Sequence, residues 1–323
     1  MTYLTLLAGL ALLLGGGDFL VRGAVALATR LGVSPLVIGL TLVGFGTSMP
    51  ELVASIQAAL IGAPGIAVGN IVGSNIANIL LILGLSALIL PIAATRAVLR
   101  RDGVIMFGAS LVLVAVAVSG AIERWMGAAL IGALAVYTIV SFVRSSRSGE
   151  ASGEAADVPG WPRGLWVSLA VTLAGIAGVV VGADFLVKSA IVIARDFGLS
   201  EAVIGLTVVA IGTSLPELVT SVMAAFRRQG DVALGNIIGS NIFNILGIGG
   251  ATALVTRVPI PPQIVQLDVW VMLGAAALLI VFASIGRGIS RAEGAILVVC
   301  YGLYLALQFS PVLRGFIGVS WHP

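Results

Sequence analysis

Two glutamates and two asparagines stand at matching places in two copies of one pattern, each inside apolar sequence. Residues 34–57 read SPLVIGLTLVGFGTSMPELVASIQ, and residues 200–223 read SEAVIGLTVVAIGTSLPELVTSVM. Downstream, GNIVGSNIANIL at 69–80 is matched by GNIIGSNIFNIL at 235–246. One offset of 166 residues relates Glu51 to Glu217 and Asn78 to Asn244. A carboxylate at membrane depth is costly and marks a functional position. The duplication points to one polar site assembled from two halves of the chain.

The neighbouring residues say what that site can hold. Pro50 and Pro216 lack a backbone N–H and clash with the preceding turn, so a helix must break beside each. Gly44 and Gly46 loosen the same stretch. A break frees carbonyls, which the membrane interior tolerates only where they line a cavity or are buried in protein. Glu51 follows the break directly, with Thr47 and Ser48 just before it. Thr213, Ser214 and Glu217 repeat the design. In the second motif Asn70, Ser74 and Asn78 are four apart and share one helix face, as do Asn236, Ser240 and Asn244; Asn75 and Asn241 lie off it. Gly69, Gly73, Gly235 and Gly239 predict close approach of another helix.

Together these residues make an all-oxygen donor set without Cys or His. Such a set suits calcium, which takes oxygen ligands in flexible geometry. Zinc, copper and iron prefer nitrogen and sulfur. Two carboxylates balance one divalent cation, and sodium ions fit the same oxygens.

The elements that carry these residues follow from composition. The chain is 59% hydrophobic and 10% charged, with a mean hydropathy of +1.16. This is a membrane profile, since a span needs about 20 mostly apolar residues. The charge of +3 sits in loop arginines and implies no nucleic-acid partner. Breakers and charges predict ten spans, at 3–29, 33–60, 66–90, 103–120, 125–143, 164–194, 200–226, 232–255, 267–285 and 291–309. The N-terminal stretch lacks basic residues in its first five positions and reads as the first span, not a cleaved signal.

The polar segment 144–163 reads as a linker, leaving a first repeat at 1–143 and a second at 164–323. Five spans per half oblige the second half to enter from the opposite side, so the expected fold is an all-α polytopic membrane protein of two inverted five-helix repeats. With the N-terminus outside, eleven arginines fall on the inner side and four (Arg124, Arg195, Arg257, Arg314) on the outer. Both termini are therefore expected outside and the linker in the cytoplasm. Asp18 with Arg22, and Asp184 with Lys188, are four apart and read as self-neutralising ion pairs. Cys300 reads as a buried, inert thiol, and His322 belongs to a terminal tail.

At the GTSxPEL and GNxxGSNxxN motifs the sequence resembles the calcium/cation antiporters, and within them the prokaryotic sodium/calcium exchangers. The resemblance covers both halves. It implies a secondary antiporter in the cell (inner) membrane, not an enzyme, exchanging calcium for sodium by alternating access. No cofactor is implied beyond the transported ions, and the other partner is the lipid bilayer. Glu51, Asn78 and Glu217 would contact the cation. Thr47, Ser48, Ser74, Thr213, Ser214 and Ser240 would complete the calcium and sodium positions, with backbone carbonyls near Gly44 and Ala210. The first and sixth helices would slide across the rest to switch access.

One position departs from the pattern: Asn244 stands where an aspartate is frequent in sodium/calcium exchangers. Calcium balance survives, but the counter-ion stays open between sodium and proton. A cation channel is a third reading. A membrane hydrolase would need a nucleophile and base, and no such constellation is present. The linker leaves no room for the large calcium-sensing domain of animal exchangers.

Overall fold

The structure is a computed structural model that describes residues 2–93, 99–148, 164–196, 210–285 and 288–309. Helices make up nearly all of it. They are α1 (Thr2–Leu31), α2 (Pro35–Thr47), α3 (Met49–Leu60), α4 (Pro64–Ile89), α5 (Val104–Val118), α6 (Arg124–Ser148) and α7 (Leu165–Asp196). Then come α8 (Ala210–Thr213), α9 (Leu215–Phe226), α10 (Gly230–Val255), α11 (Val269–Ile285) and α12 (Arg291–Phe309). Among the described residues, seven helices are long and apolar enough to cross a membrane. A bent pair, α2 and α3, would make an eighth.

Three features differ from the sequence-based expectation. Helix α6 runs to Ser148, five residues into the segment read as linker. The first residue after Arg144 that favours a helix stop is Gly149. The rest of the linker, and positions 200–209 of the expected seventh span, lie outside the described residues. Second, α4 and α10 each widen into a π-helical turn, at Asn78–Leu83 and Phe243–Ile248. Such turns are frequent at functional sites, and each of these contains a motif asparagine. Third, the chain folds as two compact units that cut across the sequence halves: residues 1–50 with 137–240, and residues 51–136 with 241–323.

The first unit is held by glycines. Helices α1 and α7 run antiparallel in close contact, with Gly9 against Gly182, Gly16 against Val179 and Gly23 against Thr172. A Cβ on Gly175 would sit 2.4 Å from the backbone nitrogen of Leu20. In a membrane, packing of this kind replaces the hydrophobic effect between helices. Leu13, Leu20, Ala24, Leu27 and Val179 form the apolar seam. Both expected ion pairs form, Arg22 to Asp18 at 2.9 Å and Lys188 to Asp184 at 2.8 Å. Asp18 also accepts from Arg227 Nε at 2.6 Å, which ties α1 to the end of α9.

In the second unit, α4 packs on α12 at Gly84 and Gly294, and Gly127 of α6 meets Gly250 of α10. Two minimal antiparallel strand pairs link its loops. β1 (Ile92–Ala93) pairs with β4 (Gly288–Ile289) through Ile92 opposite Ile289. β2 (Ala121–Ile122) pairs with β3 (Val258–Pro259) through Ile122 opposite Val258. Large apolar side chains stay exposed on the peripheral helices, among them Leu7, Ile139, Trp166 and Leu303. Within an 18-residue apolar stretch of each helix the buried share is 78% for α4 and 89% for α10, against 22% for α6. The two helices that carry the asparagine motif are thus interior ones.

Candidate functional site

The proline breaks form as expected. Helix α2 ends at Thr47, Ser48 turns with φ −86° and ψ 9°, and α3 resumes at Met49 at an angle of 45°. Ser214 repeats this turn with φ −91° and ψ 7°, placing Pro216 in the first turn of α9. Each glutamate therefore lies in the first turn of a new helix, where the helix dipole favours a carboxylate. Glu51 and Glu217 are both 1% exposed.

In the first unit, the motif of one sequence half serves the carboxylate of the other. Ser48 Oγ donates to Glu217 Oε1 at 2.8 Å. Glu217 Oε2 is buried without a hydrogen-bond partner among the described residues. Thr47, fully buried, lies within hydrogen-bond distance of the Val43 carbonyl (3.1 Å) and of Asn236 Oδ1 (3.2 Å). Ser240 Oγ reaches the Gly44 carbonyl at 3.5 Å, and that carbonyl also accepts from the Ser48 amide at 3.2 Å. Ser214 is buried and Thr213 half-buried. Ala210 opens α8.

Asn236 braces this arrangement. Its Nδ2 donates to the Glu217 carbonyl at 3.3 Å and to Ser221 Oγ at 3.0 Å. The second unit contains the same brace at the 166-residue offset. Asn70 Nδ2 donates to the Glu51 carbonyl at 3.1 Å and to Ser55 Oγ at 2.9 Å. Each asparagine thus fixes the helix turn that presents a glutamate. Sequence reasoning placed Asn70 and Asn236 on the polar face but missed their serine partners. The signal was available, since Ser55 and Ser221 are themselves repeat mates four residues after each glutamate.

The second unit also holds Ser74, Asn78 and Asn244, all buried. The Oδ1 atoms of Asn78 and Asn244 have no hydrogen-bond partner among the described residues. Asn75, off the motif face, donates to its own helix at the Ile71 carbonyl, 2.6 Å away.

The glycines divide differently from the expectation. Gly235 and Gly239 do admit a helix: a Cβ there would meet the carbonyls of Leu36 and Leu40 at 2.6 and 2.4 Å. Gly69 and Gly73 do not, since among the described residues nothing lies within 4 Å of such a Cβ; both line a cavity instead. Gly44 and Gly46 are packing glycines rather than loosening ones. Their Cβ positions would meet Ser240 N at 3.0 Å and Ile176 Cδ1 at 2.6 Å.

Chemically, the buried oxygens of Glu217, Asn78 and Asn244 that lack donors are acceptors. A buried acceptor is stable only when something electropositive satisfies it, and a metal cation does so. No redox or nucleophilic chemistry is suggested by these residue types.

Comparison with known proteins agrees with this reading. The sequence pattern of the family described as "Sodium/calcium exchanger protein" matches residues 1–143 and 167–310. The chain is 36% identical to the sodium/calcium exchanger MaX1 of Methanosarcina acetivorans, over 96% of this chain and 99% of that one. It is 38% identical to the inner membrane protein YrbG of Escherichia coli K12, over 95% and 97% of the two chains. Among solved structures, the sodium-calcium exchanger NCX_Mj soaked with zero Na+ and Ca2+ superposes with a TM-score of 0.84 at 33% identity, covering 95% of this chain and 98% of that one. The protein is thus a polytopic integral membrane protein, and it belongs to the sodium/calcium exchanger family, whose members are transporters rather than enzymes.

Proposed function

We propose that the chain exchanges calcium for sodium across the cell membrane by alternating access, using ten helices arranged as two inverted five-helix repeats with both termini outside. The observation that carries this is the set of buried acceptor oxygens without donors on the repeated motifs, at Glu217, Asn78 and Asn244. Glu51 and Glu217 supply the two charges that balance calcium. Thr47, Ser48, Ser74, Thr213, Ser214 and Ser240, with the carbonyls of Gly44 and Ala210, complete the calcium and sodium positions. That the two glutamates share one cation rests on the sequence repeat and the charge balance. The strand pairs support the repeat: an offset of 166 carries β1 onto β3, and β2 onto the neighbourhood of β4. Sodium as counter-ion is supported by the GTSxPEL motif and by likeness to MaX1 and NCX_Mj, both named as sodium/calcium exchangers.

Calcium/proton exchange is the second reading, favoured by Asn244, which removes a carboxylate from the set. Reconstituted vesicles separate the two. Calcium uptake driven by an outward sodium gradient, and slow under a pH gradient with sodium absent, supports the first. Equal rates under both would move the assignment to proton coupling.

A further inference from the structure

Asp268 is a carboxylate that neither repeated motif contains. It ends the π-helical turn Ile264–Asp268 that leads into α11 and is 6% exposed. Tyr304 Oη and Gln308 Nε2 both donate to its Oδ1. Both donors are neutral, and among the described residues no ion pair reaches this side chain.

The repeat shows what is missing. The mate of Asp268 at the 166-residue offset is Asp102, the penultimate residue of its own π-helical stretch, Leu99–Gly103. Asp102 is fully buried and neutralised by the preceding residue, with Arg101 Nη2 at 3.0 Å from Oδ2 and Arg101 Nε at 3.2 Å from both oxygens. In the second repeat Leu267 stands where Arg101 would be. Asp268 has kept the buried carboxylate and lost the built-in cation.

Space for a replacement is present. Asp268, Tyr304, Gln308 and Gln263 line a cavity of about 300 Å³ together with Gly69 and Gly73. This corresponds to roughly ten waters at about 30 Å³ each, enough for a cation with part of its hydration shell. Gly69 and Gly73 border this open space, since among the described residues nothing approaches where a Cβ on either would lie.

We propose that this cavity is a second cation-binding site, in which Asp268 holds one sodium ion in the role that Arg101 fills for Asp102. One carboxylate balances one monovalent charge, whereas a divalent ion would leave one positive charge without a counter-charge among the lining residues. Both donors arrive at Oδ1, which leaves Oδ2 to the cation. The amide oxygens of Gln263 and Gln308 and the phenol oxygen of Tyr304 are hard ligands of the kind sodium takes. The site is independent of the paired glutamates.

The test uses the full chain in nanodiscs, in a Glu51→Gln/Glu217→Gln background that silences the motif carboxylates. Thermal unfolding is compared in sodium chloride and in choline chloride at equal ionic strength. Sodium should raise the midpoint saturably, as a ligand that binds only the folded state must, and Asp268→Asn should remove that shift. Leu267→Arg, which restores the tethered guanidinium, should also remove it. If Asp268→Asn does not fold, Tyr304→Phe keeps the carboxylate and should weaken sodium roughly tenfold. If the double-glutamine background does not fold, radiolabelled sodium binding to the parent chain should fall by one ion per chain in Asp268→Asn. Equal midpoints in sodium and choline, or a sodium shift that survives Asp268→Asn, would overturn the site. Because the glutamates are already removed, neither result bears on the exchange assignment.

Discussion

Replacing Asn236 by alanine should harm the protein more than the same change at its repeat mate Asn70. Asn236 is fully buried and takes part in three hydrogen bonds, to the Glu217 carbonyl, to Ser221 and from Thr47. At about 0.5–1.5 kcal/mol each, their loss comes to about 2–4 kcal/mol, before any cavity is counted. Asn70 makes two such bonds and is half-buried, so water can replace part of what is lost. There the cost should be about 1–2 kcal/mol. Asn236→Asp keeps the shape but sets a carboxylate oxygen against the Glu217 carbonyl, 3.3 Å from the present nitrogen, and should be no milder than alanine. Thermal unfolding in nanodiscs measures the order directly. Calcium uptake at graded calcium should show a raised KM in the Asn236 variants, because the turn presenting Glu217 is no longer fixed. Equal midpoints for Asn236→Ala and Asn70→Ala, or an unchanged midpoint for Asn236→Ala, would refute the idea that these asparagines brace the glutamate turns.

Further outcomes follow from the same geometry. Glu51→Gln and Glu217→Gln should each abolish calcium uptake in vesicles while the protein still runs as a folded species on gel filtration; substantial uptake in either would end the two-glutamate reading. Gly175→Ala places a methyl group 2.4 Å from the Leu20 backbone and should destabilise the α1–α7 pair by about 1–3 kcal/mol, whereas Gly15→Ala, with no described atom within 4 Å, should be neutral in the same melt. Asn244→Asp adds a titratable carboxylate to the proposed ion site, so calcium flux should become more sensitive to acid pH; an unaltered pH profile would show that residue 244 does not face the transported ions. With Cys300 replaced, cysteines at Ser148 and Ser320 should label from opposite sides of intact cells, and same-side labelling would contradict the span count.

The sequence alone was enough for the helical, membrane-spanning character of the chain and for the choice of the residues proposed as its site. Apolar length fixes where helices can be, because an unsatisfied backbone in lipid is prohibitive. Pro50 and Pro216 fix where they break, because the missing N–H is a local fact. Repetition at one offset picks out Glu51, Glu217, Asn78 and Asn244, because chance and packing do not duplicate charges in apolar runs. Other things were not legible. Gly69 and Gly235 are repeat mates with one sequence reading, yet which glycines admit a helix and which line a cavity depends on what stands opposite. Gly239 meets the Leu40 carbonyl, while its mate Gly73 faces space. Nor does a spacing rule say that Ser48 of one half bonds the carboxylate of Glu217 in the other, or that the compact units cut across the halves. These are long-range choices made by close packing of whole helices. Local chemistry therefore determined what the residues can bind, and only the tertiary structure decided which partners each of them keeps.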